Sequence, residues 1–380
     1  MSEWKKVKLG DITDSCLGKM LDAARNRGEY KPYLANLNVR WGSFDTDRLS
    51  LMRFEEDENE RYGIKYGDLI ICEGGEPGRC AIWKEQLPDM KIQKALHRVR
   101  PKEELVDNFY LFYWFLLAGK RNWIDQYCTG ATIKHLPGQK LKEVVVDLPP
   151  INVQHRIATI LSRYDSLIEN YQKQIKLLEE AAQRLYKEWF VDLHFPGYET
   201  TKIVDGVPEG WEKKKVGEVT PIKTGKKDAN FGTENGEYPF FTCAQEPIKA
   251  PSYSYDTSAV ILAGNGDFNV KLYRGKFEAY QRTYVLGTNH KEMLYLLYFC
   301  ISENMNKLAT GASGSTIKFL TKGMIESLDI YVPSKIFIGS FNKIIEPIQG
   351  QKEHLLSQIR LLTEARDRLL PKLMSGEIAV

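Results

Sequence analysis

The sequence predicts an α+β (α/β) protein: two similar globular domains joined by two long antiparallel coiled-coil helices, with an internal pseudo-two-fold repeat. Three observations predict it. "QIKLLEEAAQRLY" (Gln174–Tyr186) recurs as "QIRLLTEARDRLL" (Gln358–Leu370), with eight of thirteen residues identical. At the same offset of 184, "GATIKHL" (Gly130–Leu136) recurs as "GSTIKFL" (Gly314–Leu320), and "VVVDLPP" (Val144–Pro150) as "LDIYVPS" (Leu328–Ser334). Both copies then run into long stretches whose apolar residues fall at alternating steps of four and three, the seam of a coiled coil.

The first domain takes residues 1–150. It mixes short β-rich runs, broken by Gly, Pro and Asn, with a helical patch at Asn108–Ala118. Pro149-Pro150 marks the start of the first spacer helix, 151–190. Its seam reads Ile157, Leu161, Tyr164, Ile168, Tyr171, Ile175, Leu178, Ala182, Leu185 and Trp189. At 1.5 Å per residue such a helix is about 60 Å long. A linker (191–206) leads to the second domain, 207–333, which repeats the order of the first. "WKKVKLGDIT" (Trp4–Thr13) becomes "WEKKKVGEVT" (Trp211–Thr220), and "YGDLIICEGGEPGRCAIW" becomes "SAVILAGNGDFNVKLY". "IQKALHRVRP" (Ile92–Pro101) becomes "AYQRTYVLG" (Ala279–Gly287). The second spacer helix, 334–373, carries Phe341, Ile345, Ile348, Leu355, Ile359, Leu362, Leu369 and Leu373 on its seam, interrupted by Lys352 and Arg366. Pro347 is expected to kink this helix or delay its start, because proline removes a backbone donor. Residues 374–380 form a tail.

Composition excludes several classes. The longest dense apolar run, "FYLFYWFLLAG" from Phe109, is far short of the ~20 residues of a membrane span. The N-terminus has no signal-peptide pattern, and the six cysteines show no CxxC pair, which together predict a cytoplasmic protein with reduced thiols and no metal. The net charge of +3 is uninformative, since residues 1–150 hold 24 Lys/Arg against 23 Asp/Glu. No GxxxxGK[ST] loop is present, and no (D/E)xK follows Pro88-Asp89 before Pro150. "DLPP" and "YVPS" are not the Asn/Asp-Pro-Pro-aromatic motif of an adenine methyltransferase. No catalytic residue is assigned. A duplicated helix that holds two diverged domains suits a ligand with its own approximate two-fold, and duplex DNA is one. The competing reading is a coiled-coil scaffold that binds only proteins, which explains the helices and not the diverged loops.

These features, with "LPPINVQHRIATILSRYDSLIE", "AAQRLYKEWFVDLHFPGYE" and "YPFFTCAQEPIKAPSYSYDTSAVILAGNGDFN", resemble the specificity (S) subunit of type I restriction-modification systems over essentially the whole chain. The resemblance implies two target-recognition domains, each reading one half of a split double-stranded DNA target. It implies a helix pair that sets the spacer and docks two modification (methyltransferase) subunits, with restriction (motor/nuclease) subunits joining them. S-adenosylmethionine, ATP and Mg are then expected on the partners, and no cofactor on this chain.

Base readout needs Arg or Lys for guanine and Asn or Gln for adenine, on loops or strand edges. The candidates in the first domain are Gly74, Gly75, Arg79, Gln93, Lys94, Arg98, Thr132 and Lys134. In the second they are Asn265, Gly266, Asn269, Lys271, Gln281, Arg282, Thr316 and Lys318. The twin Thr-Ile-Lys residues, alike in both domains, are read as framework or phosphate contacts and not as base readers. Arg79 and Asn265, on the diverged turns, are the expected specificity residues. The aromatics Trp41, Phe44, Tyr253 and Tyr255 are read equally as loop anchors or as DNA contacts.

Overall fold

A computed structural model of the chain describes residues 4–22, 26–287, 291–314 and 318–380. It divides into two compact units, Met1–Tyr171 with Gln358–Val380, and Gln172–Ser357. Both long helices form as single elements, Ile151–Phe190 and Lys335–Met374. Each unit therefore contains a part of each helix.

The first unit is built on a four-stranded antiparallel sheet. Its order is Thr13–Leu17, Leu96–Pro101, Leu69–Cys72, Cys80–Ile82. One face packs on the helix Asn108–Lys120, whose residues 110–118 are all buried. A second small sheet, Ser50–Phe54, Glu29–Leu34 and Lys91–Ile92, lies beside a separate cluster around Trp83 and Ile92. The strand after Trp4 pairs with the one that precedes the long helix, Lys5 opposite Leu148.

The second unit repeats this plan. Ile222–Thr224, Thr283–Gly287, Tyr255–Ala263 and Val270–Ala279 take the same order, and Glu212–Lys215 pairs with Asp329–Val332. The parallel pairing of Leu34 with Ile92 recurs as Phe241 with Ala279. One difference is that Val270–Ala279 is a single long strand where the first unit breaks it into two. The loop that follows the break in the first unit carries Glu85 and Asp89 at positive φ.

Each end of the helix pair belongs to a core. In the first unit Ile157, Ala158 and Leu161 share a buried cluster with Leu370, Leu373 and Met374. In the second, Ala182, Tyr186, Trp189 and Phe190 share one with Ile338, Phe341 and Ile345. The helical segments run antiparallel within the second unit, because Phe190 faces Phe341 (centroids 4.9 Å apart) while Glu179 meets Lys352 at 2.5 Å. No predicted seam residue is exposed.

The boundaries expected from sequence change in one respect. The helices are not spacers separate from the domains, since their ends complete the domain cores. Pro347 does not delay the second helix, which is continuous from Lys335. The two polar interruptions of its seam each meet a carboxylate of the first helix. Lys352 pairs with Glu179, and Arg366 pairs with Asp165 at 2.6 Å. Asp165 also accepts from the Tyr113 hydroxyl at 2.5 Å, tying the helix to the globular part of its unit.

Candidate nucleic-acid interface

In each unit three turns converge at one end of the main sheet. In the first, the Gly-rich turn after Cys72, the turn before Leu96 and the loop 129–135 are laced by backbone bonds. Glu73 N–H donates to Ala95 O at 2.9 Å, Leu136 N–H to Glu73 O at 2.7 Å, and Thr129 and His135 bridge each other. In the second, Gly264 N–H donates to Arg282 O at 2.9 Å, Leu320 N–H to Gly264 O at 2.8 Å, and Ser313 bridges Phe319. Gly74 bridges His135 as Asn265 bridges Phe319. Gly75 and Gly266 follow at φ +73 and +67, a conformation that disfavours other residues. The backbone frame is thus the same, bond for bond.

What the frame displays differs. The first unit shows Gly75, Lys94 and Thr132 to solvent, and Lys134 beside Asp125 at 2.6 Å. Trp41, Gly75, Thr132 and Lys134 line one cleft of about 540 Å³. The second unit shows Gly266, Gln281, Arg282 and Lys318, with Gln281, Arg282 and Lys322 lining a cleft of about 300 Å³. Among the described residues the Gln281 and Arg282 side chains make no hydrogen bond or ion pair, and the Arg282 charge acts on the neighbouring Tyr284. Thr316 lies outside the described residues.

Several expected readers are committed elsewhere. Arg79 donates from Nη2 to both Asn36 O (3.1 Å) and Asn36 Oδ1 (2.7 Å), and from Nη1 to Glu76 (3.1 Å). Its fork holds the Asn36 loop against the Gly-rich turn, so Arg79 is a positioning residue here and not a presented donor. Arg98 is buried, donating to Glu60 O, Arg61 O and the Asp14 carboxylate. Asn269 donates to Cys243 O and Asp267 O, while Lys271 bonds Ala244 O and Asn269. Burial lowers the Lys271 pKa, with nearby acids opposing that shift. Gly74 is buried, with its carbonyl accepting from Asn36 at 2.6 Å. Gln93 is half-buried and bridges Lys19 through its backbone. Asn265 is half-buried behind Gly266. Sequence position cannot separate these internal fasteners from displayed groups, because both are polar residues on Gly-rich turns.

The aromatics also separate. Phe44 packs edge-on against Trp83 (5.2 Å) and Tyr255 stacks on Phe277 (5.0 Å), so both are anchors. Trp41 lines the cleft, donating to Glu76 at 2.6 Å. Two residues not singled out from sequence fasten the Thr-Ile-Lys loops: His97 reaches Leu136 O, and Tyr284 reaches Leu320 O, each at 2.8 Å. Aligning "IQKALHRVRP" with "AYQRTYVLG" does put His97 opposite Tyr284, so the signal was present.

Among the described residues no group of three or more His, Cys, Asp or Glu could hold a metal, and no helix is long and apolar enough to cross a membrane.

Comparison with known proteins agrees with this geometry. The chain matches the type I restriction modification DNA specificity domain over residues 1–180 and 208–346. It is similar to the MjaIX specificity subunit of Methanocaldococcus jannaschii, with 26% identity over 83% of this chain and 78% of that one. It is 36% identical to the EcoDI specificity subunit of Escherichia coli over 45% of this chain and 39% of the other. The crystal structure of the type I S subunit from M. genitalium aligns over 97% of this chain and 96% of that chain, with a TM-score of 0.56 at 17% identity. Two repeats on one frame, displaying different residues at the same edge, belong with that family: the chain is a type I restriction-modification specificity subunit, the DNA-recognition component of such a system and not its catalytic one.

Proposed function

We propose that each unit reads one half of a split duplex target with the edge described above, and that the long helices set the unread spacer between the halves. One observation carries this reading. The two edges share their backbone hydrogen bonds and differ in displayed side chains, Lys94 in one against Gln281 and Arg282 in the other. A shared frame with exchanged side chains is what two different half-sites require. Gln281 and Arg282 carry the donor patterns that suit adenine and guanine. Lys134 and Lys318 hold matched places in both units and suit phosphates. The same reading puts two modification subunits on the helix pair, restriction subunits outside them, and S-adenosylmethionine, ATP and Mg on those partners.

The test is the methylated motif produced by the chain with its modification partner, read by sequencing genomic adenine methylation. Arg282→Ala should relax one half-site and leave the other intact. Equal loss at both halves, or none, would reject the one-unit, one-half assignment.

A further inference from the structure

In the first unit the loop after the strand Glu29–Leu34 is fastened to the Gly-rich turn by side chains. Asn36 Nδ2 donates to Gly74 O at 2.6 Å, Arg79 Nη2 to Asn36 O at 3.1 Å, and Trp41 Nε1 to Glu76 at 2.6 Å. The second unit fastens the equivalent loop with other residues. The pairing of Leu34 with Ile92, and of Phe241 with Ala279, sets Asn36 against Cys243. Cys72 N–H donates to Arg79 O and Ala263 N–H to Asn269 O, which sets Arg79 against Asn269. Asn269 Nδ2 then donates to Cys243 O at 3.1 Å. Gln245 Nε2 donates to Asp267 at 2.7 Å, and Asp267 follows Gly266 as Glu76 follows Gly75.

The tie between loop and turn is thus kept while the side chains that make it are exchanged. The residue that the tie displays is exchanged as well. It is Leu37 in the first unit and Ala244 in the second, and both are exposed. A single exposed leucine is ordinary on a protein surface. Leu37, 64% exposed, stands instead between two asparagines that hold the backbone on either side of it. Asn36 makes the bonds above, and the buried Asn38 donates to Asp45 O and Arg48 O while its Oδ1 accepts from Ala35 N–H at 2.9 Å. Ordering a loop costs conformational entropy, and here the cost is met to present an apolar side chain to solvent.

We propose that Leu37 is a specificity-determining residue and packs on the C5-methyl of a thymine in the DNA target. The inference rests on the reading above that this edge of the sheet meets the bases, since the Leu37 loop is bonded directly to the Gly-rich turn of that edge. Leu37 has no polar group to offer a base or a phosphate, and it gains only by burying apolar surface. The thymine methyl is the apolar feature of the major-groove base edges, and apolar side chains recognise it by contact. Arg79 acts through Leu37 in this arrangement, by holding the backbone that presents it.

The test uses the full chain with its modification partner, in gel shifts on duplexes that carry the methylated motif. Each thymine of either strand is replaced in turn by uracil, which removes the C5-methyl and leaves the base pairing unchanged. At one position uracil should weaken wild-type binding about fourfold, as expected for the loss of one buried methyl. Leu37→Ala should bind that thymine duplex and its uracil counterpart equally. Leu37 is exposed, so its truncation leaves the core intact. A Leu37→Ala variant that keeps the wild-type discrimination at every position, or a wild type that shows none, overturns the proposal. If Arg282→Ala relaxes one half-site while no thymine depends on Leu37, this proposal alone fails. If the Leu37-dependent thymine lies in the half-site that Arg282→Ala relaxes, the contact stands and the one-unit, one-half assignment fails.

Discussion

His97 holds the carbonyl of Leu136 at 2.8 Å from the floor of the first unit's sheet. The second unit makes the same bond with a phenol, Tyr284 to Leu320 at 2.8 Å. Each fastens the end of a Thr-Ile-Lys loop to the central strand. His97→Ala leaves a buried carbonyl without its donor, which costs about 1–3 kcal/mol. It should loosen recognition of the first half-site only. His97→Tyr, which borrows the other unit's solution, should restore much of the loss. Methylated-motif sequencing reads the first effect and urea unfolding the second.

The same residue predicts a pH dependence. Burial lowers the His97 pKa, with the Leu136 carbonyl and Glu73 opposing. The folded state therefore prefers the neutral ring, and the unfolded chain binds the proton more readily. Stability is fully present above the unfolded value of about 6.5 and falls as pH drops through it toward the lowered folded value. His97→Tyr should flatten this part of a stability–pH curve measured from pH 8 to 5. An unchanged slope would remove His97 as its cause.

Asp165 sits 15% exposed between Tyr113 and Arg366, and Arg366 also bonds Asp367, which Lys120 reaches at 2.6 Å. Asp165→Ala leaves Arg366 half-compensated by Asp367, so the expected loss is about 1–3 kcal/mol, below the 3–5 of a fully buried broken pair. Asp165→Leu with Arg366→Leu should lose less than Asp165→Ala alone, because no charge is then left unpaired. Urea midpoints of the three variants decide it.

Lys134 and Lys318 stand at the same place in both loops. Replacing either by Ala should weaken binding to every duplex alike and reduce the salt slope by about one unit. Arg282→Ala should instead cost about 1–3 kcal/mol on its own half-site alone. Gel shifts across salt concentrations, made in the presence of the modification partner, separate the two behaviours.

Asp165 and Glu179 are 14 residues apart on the first helix, and Lys352 and Arg366 are 14 apart on the second. Changing the spacing on one helix alone would misalign one of these ion pairs. Four residues inserted into each helix between its two partners preserve both pairs and add about 6 Å, roughly one helical turn. The methylated motif should then keep both half-sites and gain one or two base pairs of spacer. An unchanged spacer would show that the helices do not set the distance.

The amino-acid order alone carries the duplication, the two 40-residue helices and their apolar seams, because these rest on periodicity and on a constant offset that any fold must respect. It also pointed to the turns involved, through their glycines and the twin Thr-Ile-Lys segments, while their convergence on one edge came from the backbone bonds between them. What it could not separate was display from fastening. Arg79 and Arg282 are both arginines on turns, yet the first is spent on Asn36 and Glu76 while the second faces solvent. That difference depends on where the Asn36 loop, more than forty residues upstream of Arg79, comes to rest. Likewise Lys352 and Arg366 read as defects in a seam until Glu179 and Asp165 arrive from a helix nearly two hundred residues earlier. Local pattern fixes the elements, since a backbone's period is a local property. The use of each polar side chain is fixed by its distant partners, and only the tertiary structure supplies those.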